Sequence, residues 1–194
     1  PRWKQVLNEL KSDFDDAIGK LYVDNYFSPE AKKRAFEMAK NIKSALAERI
    51  SNADWMCDST KVKALRKLEN CRLKIGYPDN HWVDYTNFVM GDSYATNIIT
   101  CLAEYFKYEM SFIDMNIKPD LWYEILPSTA NMYYVYNQNE IVVPAAMLQL
   151  PMFYANGDDA INYGAIGASI AHELTHGFDY QGQMFDEFGN LNDW

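Results

Sequence analysis

The sequence lacks the features that mark disulfide-rich, membrane-spanning and nucleic-acid-binding proteins. It has three cysteines in 194 residues, an odd number at spacings that match no metal-binding pattern. Acidic residues outnumber basic ones by 27 to 18, so the net charge is −9 and no basic surface is available for nucleic acid or an anionic membrane. A membrane-spanning helix needs about 18 uninterrupted apolar residues, and no segment of the sequence has a run of that length. With 48% apolar residues, the chain can still build a hydrophobic core.

Histidine is also scarce, and its placement is informative. Two of the three histidines lie in the segment His172-Glu173-Leu174-Thr175-His176. Residues four apart on a helix project from one face, so His172 and His176 can bind one metal ion. Glu173 can then reach a metal-bound water as a general base, as in the zinc metalloproteases. The alternative is a helix that merely contains two histidines. The third histidine, His81, has no partner motif and is expected at the surface.

The residues around this segment follow a helical pattern with one buried face. Apolar residues recur at a spacing of four, which predicts a helix whose other face opens to a cleft; they are Ile166, Ile170, Leu174 and Phe178. Three glycines are poor helix formers, and either close packing or close approach of a substrate would explain them; they are Gly164, Gly167 and Gly177.

Asp179 follows His176 by three residues. A carboxylate at this place can accept the second N–H of a metal-binding histidine, which fixes the tautomer of the ring. The alternative is an ordinary loop aspartate.

Residues 162–167 read Asn-Tyr-Gly-Ala-Ile-Gly, and Gly-Phe-Asp follows the second histidine. Residues 131–134 and 139–149 read Asn-Met-Tyr-Tyr and Asn-Glu-Ile-Val-Val-Pro-Ala-Ala-Met-Leu-Gln. These segments resemble the neprilysin and endothelin-converting-enzyme family of zinc endopeptidases, which includes bacterial oligopeptidases. The family has Asn-Tyr-Gly-Gly-Ile-Gly and Gly-Phe-Asp at the first pair of places, and Asn-Ala-Tyr-Tyr and Asn-Glu-Ile-Val-Phe-Pro-Ala-Gly-Ile-Leu-Gln at the second. The first four and last six residues also match family blocks. Vertebrate members usually have a cysteine where this chain has Val6, which favours the bacterial branch and leaves the cellular compartment open.

The resemblance implies zinc as cofactor and peptides as substrates. It also indicates a substrate-binding strand at Asn131, Met132 and Tyr133, whose edge could pair with an extended peptide. The Asn131 side chain offers a donor and an acceptor to a peptide bond; the alternative is a turn asparagine without function. Met132 replaces the family's alanine, so its side chain would narrow the adjoining pocket unless only its main chain is used.

The chain contains only part of the expected zinc site. Catalytic zinc usually has three protein ligands, and the family's third ligand is a glutamate in a Glu-x-x-x-Asp motif roughly sixty residues beyond the first histidine. No such motif follows His176. We therefore expect a fragment that is inactive alone, with the missing C-terminal part of the protein supplying the third ligand. The alternatives are a metal-free binding module of the same fold and a non-catalytic structural fragment.

The hydrophobic pattern predicts a mainly α-helical chain with a small β-hairpin. We expect a helical cap region over residues 1–118, and from 119 to 194 the N-terminal part of a thermolysin-like catalytic domain. The second region would contain a hairpin at 131–143 and the metal-binding helix at about 160–178.

Local signals refine this prediction. Ser28 followed by a proline is expected to cap a helix, and Asp58 or Ser59 is expected to cap a later one. Three of the five tryptophans are expected to anchor the core rather than to stack on a ligand; they are Trp55, Trp82 and Trp122.

Overall fold

The computed structural model describes residues 1–80, 82–113, 121–122 and 126–192. Seven α-helices lie within these ranges: α1 (Arg2–Asp13), α2 (Asp15–Tyr26), α3 (Pro29–Ser51), α4 (Asp58–Asn70), α5 (Tyr94–Met110), α6 (Asp159–Asn162) and α7 (Ala168–His176). The described strands are β1 (Arg72–Gly76), β2 (Tyr133–Val135) and β3 (Glu140–Pro144). The mainly helical fold with a small sheet confirms the predicted class. None of the helices seen in the described ranges has the length and apolar character needed to cross a membrane.

The three strands form one sheet in the order β1-β3-β2. β1 and β3 are parallel, with Arg72 opposite Glu140, and β2 is antiparallel to β3, with Tyr133 opposite Val142. All five residues of β3 are buried, as expected for a central strand rich in β-branched residues. The short 3-10 turn Tyr136–Gln138 and Asn139, at φ 50°, connect β2 to β3, and asparagine tolerates this left-handed conformation well.

The hydrophobic core lies between α3, the sheet and α7. The predicted apolar face is confirmed: Ile170 and Leu174 on α7 and Ile166 just before it are fully buried, and Phe178 just after it packs against the same cluster. Gly167, just before α7, faces α3, where a Cβ would be in ordinary van der Waals contact with the Ile42 side chain at 3.6 Å. Buried apolar surface therefore determines where the helix with the two histidines lies.

Some local predictions are confirmed and others are wrong. Ser28 caps α3, and its Oγ accepts the Ala31 backbone N–H at 3.2 Å. The N-cap of α4 is Cys57, one residue before Asp58. Trp55 is 80% exposed and does not anchor the core, whereas Trp82 packs against it and Trp122 is half-buried.

The division into a cap region and a catalytic region stays a prediction. Its proposed boundary near residue 118, like His81, falls outside the described residues. Elements from both sides of the boundary share one core, since α3 and β1 pack with β3 and α7.

Candidate metal centre

The two histidines lie on a helical segment that runs without a break from Asp159 to His176. It begins at Asp158, whose side chain accepts the Ala160 N–H at 2.7 Å, and it contains one π-helical turn at Tyr163–Gly167. Such π turns are rare and are often found near functional sites. After His176 comes Gly177, where a Cβ would lie 3.0 Å from the Tyr134 hydroxyl oxygen. Glycine at this position lets the end of α7 pack directly on β2.

The side chains of His172, Glu173 and His176 converge on one point. The Nε2 atoms of His172 and His176 are 3.1 Å apart, close to the about 3.3 Å expected for two nitrogens on one tetrahedral zinc. Glu173 Oε2 lies 4.0 Å from His176 Nε2, and one ligand atom from each of the three residues lies within 4.8 Å of the others. The pair of imidazoles therefore fits a metal ion without rearrangement. Two protein ligands leave the metal open for a further ligand and a water.

Asp179 lies behind His176, on the side of the ring away from His172. Its Oδ2 is 2.7 Å from His176 Nδ1. A carboxylate only accepts, so Nδ1 carries the proton and donates, and the neutral ring keeps a lone pair on Nε2. Of the two histidines, His172 is exposed and His176 is half-buried.

The Asp179 carboxylate is itself held by several donors. Its Oδ1 accepts the backbone N–H groups of Gln181 at 2.9 Å and Gly182 at 2.7 Å, and the Tyr136 hydroxyl donates to Oδ2 at 3.2 Å. Burial alone would raise the pKa of Asp179, but these hydrogen bonds and the one from His176 outweigh it and lower that pKa. The carboxylate is thus held ionised in one orientation.

Glu173 is 8% exposed, and burial raises its pKa above the ordinary value. The neighbouring His176 and His172 and a hydrogen bond from the Tyr134 backbone N–H act in the opposite direction. A raised pKa suits a carboxylate that has to take up a proton and release it again near neutral pH.

The predicted substrate strand lies beside this cluster, although it begins later than expected. Regular pairing starts at Tyr133, and Asn131 is exposed just before it. The Met132 side chain is buried in the core, so it does not narrow a cleft, and Tyr133 is half-buried. Within the described part of the chain, β2 is at the edge of the sheet and contacts α7.

Sequence reasoning missed two groups at this centre. Tyr136 bonds to Asp179, and its ring lies edge-on to that of His176 at 6.4 Å between centroids. Lys67, from the distant helix α4, bonds to the segment that follows His176. Neither residue stands at a sequence spacing from the histidines that would indicate contact.

A separate apolar cavity of about 930 Å³ lies between α3, α4 and the C-terminal end of α7. Thr175 and Phe178 contribute to its wall, and the walls found in the described ranges include neither histidine nor Glu173. The cavity is therefore distinct from the metal centre.

Comparison with known proteins agrees with the geometry. Two models described as Peptidase family M13 match residues 1–78 and 131–194, together more than half of the chain. The chain belongs to peptidase family M13, which confirms the family predicted from its motifs.

Named relatives and solved structures match the chain over all or nearly all of its length. It is 32% identical to endothelin-converting enzyme 1 of Rattus norvegicus and 34% identical to neprilysin-1 of Caenorhabditis elegans, over 100% of this chain and 26% and 27% of those proteins. A zinc metalloprotease of Mycobacterium tuberculosis in its open state has a TM-score of 0.93 and 40% identity, over 100% of this chain and 30% of that one. PepO of Lactobacillus rhamnosis has a TM-score of 0.85 and 32% identity, over 95% and 29%. The chain spans about a quarter of the length of the curated relatives it matches.

Proposed function

We propose that the complete protein is a zinc-dependent endopeptidase, with His172 and His176 as zinc ligands and Glu173 as general base. The observation that carries this proposal is the 3.1 Å approach of the two Nε2 atoms beside a buried glutamate. Names of matching proteins support it, since they include a zinc metalloprotease and a membrane metallo-endopeptidase-like protein. The metal-free alternative would have no use for this arrangement.

His172 and His176 would hold zinc through Nε2, with Asp179 keeping His176 in the required tautomer. Zinc, when bound, supplies a Lewis acid that lowers the pKa of a water molecule and polarises a carbonyl group. A third ligand, a glutamate by family resemblance, would come from outside these 194 residues. This chain alone would then bind zinc weakly and hydrolyse peptides negligibly.

Glu173 moves the proton in this reaction. A carboxylate oxygen of Glu173 accepts a proton from water as the water oxygen bonds to the peptide carbonyl carbon. The same oxygen then delivers the proton to the leaving nitrogen as the C–N bond breaks. The raised pKa of Glu173 makes the first transfer, from water to the carboxylate, more favourable than it would be for an exposed glutamate.

Asn131, Met132 and Tyr133 would bind the substrate backbone. A peptide added to the edge of β2 would lie beside Glu173, because the Tyr134 N–H of the same strand reaches that carboxylate. Met132 would contribute only main-chain groups, since its side chain is in the core. The Asn131 side chain is exposed and therefore accessible to a peptide bond.

The general-base role predicts a large loss of activity from Glu173→Gln in the complete protein. Turnover of a peptide should fall by about 10²- to 10⁴-fold, because glutamine cannot accept the proton. Zinc content, measured by atomic absorption, should stay at the wild-type value because both histidines remain. Near wild-type turnover would show that Glu173 is not the base, and a wild-type protein without zinc would favour the metal-free module.

The substrate role of Asn131 predicts a smaller loss. Asn131→Ala should weaken transition-state binding by about 1–3 kcal/mol, as for a lost hydrogen bond in a desolvated complex. The measurement is kcat/KM for several peptides, with zinc content unchanged. Asn137→Ala is a matched control, since Asn137 is also exposed and lies in the turn of the same hairpin. Equal kcat/KM values for the two variants would show that Asn131 contributes no more to substrate binding than a turn residue does.

A further inference from the structure

A buried lysine supports the segment that follows the two histidines. Lys67 projects from α4 and is 1% exposed. Its Nζ donates to the backbone carbonyls of Gly182 and Phe185, both at 2.6 Å. Lysine is almost never fully buried unless its charge has partners. These two carbonyls therefore solvate the buried ammonium group, and the lysine connects the backbone of this segment to α4.

The same segment presents Asp179 to His176. The Gly182 N–H donates to Asp179 Oδ1 at 2.7 Å, and the Gly182 carbonyl oxygen accepts from Lys67 Nζ. Asp179 Oδ2 then receives the His176 Nδ1–H at 2.7 Å. An unbroken chain of hydrogen bonds and one residue's backbone thus connects the lysine ammonium to a proposed zinc ligand.

The fit of this segment on the end of α7 leaves little freedom. A Cβ at Gly182 would overlap the His176 carbonyl oxygen and the Gly177 backbone, so residue 182 lies directly against the helix end. A small shift of the segment would move Asp179 relative to the ring of His176. The hydrogen bond between these two side chains would then weaken, because hydrogen bonds weaken steeply with poor alignment.

The lysine is a cation in this position. Burial lowers the pKa of Lys67 to about 8, while the nearby carboxylates of Asp186 and Asp179 act in the opposite direction. Its ammonium group is mostly protonated at neutral pH and has three donors.

We propose that Lys67 is a positioning residue for the metal centre. Lys67 holds residues 179–185 in place, so that Asp179 fixes the ring of His176. This inference rests on the proposed zinc site. It assigns to α4, a helix that contributes no ligand, part of the control of metal affinity.

The test compares two lysines of similar chemistry in the complete protein. Lys43 is half-buried, and like Lys67 it donates to two backbone carbonyls, those of Glu69 at 2.9 Å and Cys71 at 2.7 Å, but neither belongs to the Asp179 segment. Zinc affinity is measured by competition with a chelator, and stability by unfolding of the metal-free protein. Lys67→Met should weaken zinc binding by about tenfold, as when a partner of a metal ligand is disturbed. Lys43→Met should cost stability without changing zinc affinity, and Lys67→Arg should restore most of the affinity.

A double-mutant cycle tests whether Lys67 affects zinc affinity through Asp179. In an Asp179→Ala background, Lys67→Met should cause no further loss of zinc affinity, because the group that it positions is gone. If Lys67→Met fails to fold, Lys67→Gln is used with the same expectation. A loss no greater than that of Lys43→Met, or an equal loss in both backgrounds, would overturn the inference and leave the proposed function intact. A wild-type protein that binds no zinc would overturn both.

Discussion

The buried face and the C-terminal end of α7 are held by different forces. The face consists of Ile170 and Leu174, continued by Ile166 in the turn before α7, and all three are fully buried and apolar. The end is held by directional contacts from His176 to Asp179 and from Lys67 to the following segment. Apolar burial is nondirectional and determines where a helix lies, whereas hydrogen bonds determine how one side chain points. Stability and metal affinity should therefore respond to different residues.

The largest effect on stability is expected at the buried face. Ile170→Ala should lower the free energy of unfolding by about 2–5 kcal/mol, because it removes buried methyl groups and leaves a cavity. Ile161→Ala is a matched control on the same helical segment, since Ile161 is 53% exposed and should change stability by about 0.5 kcal/mol or less. Urea unfolding of the metal-free protein measures both. Equal effects would mean that α7 is not positioned by its apolar face.

At the C-terminal end of α7, we expect the largest effect on metal affinity. Asp179→Ala should weaken zinc binding by about 10- to 100-fold through loss of the contact that orients His176. Asp186→Ala is the control, because Asp186 also caps a turn by accepting two backbone N–H groups, those of Phe188 and Asn190. Chelator competition should show little change for Asp186→Ala. A common loss of affinity would indicate that any weakening of this segment disturbs the metal, whichever carboxylate is removed.

The smallest effects are expected at two glycines of this helical segment, Gly177 at its C-terminal end and Gly164 in the π-helical turn. Gly177→Ala should destabilise the protein by about 1 kcal/mol, since its Cβ would press on the Tyr134 ring at 3.0–3.3 Å. Gly164→Ala should stabilise the 194-residue chain by about 0.5 kcal/mol, because no described atom lies within 4 Å of a Cβ there and alanine is the better helix former. Thermal unfolding of the two variants should therefore shift in opposite directions. Shifts of the same sign would refute the difference in packing.

The sequence predicts the helix with the two histidines well, because the signals for it come from residues that are close together in the chain. The spacing of His172 and His176, the apolar repeat and the position of Asp179 all follow from helix geometry, and the structure places these groups together. The Ser28 cap depends on three neighbouring residues and is predicted for the same reason.

Features that depend on distant partners are not predicted. β1 is a strand because β3 lies beside it in parallel, and a parallel partner far along the chain leaves no turn signal. Lys67 has an ordinary place in the pattern of α4, and only the packing of α4 brings it to Gly182. Trp55 is apolar and aromatic, yet the described residues leave it largely uncovered.

The parallel pairing of β1 with β3 joins residues that are made far apart in time. Arg72 and Glu140 are 68 residues apart, and α7 is made later still. Ribosomes add about 5–20 residues per second, so roughly 3–14 s pass between the synthesis of the two strands. During that interval the apolar surfaces of α3 and β1 are already made and lack the strand that covers them. The nascent chain therefore makes α7 only after α3 and β1 have been without their central strand for several seconds.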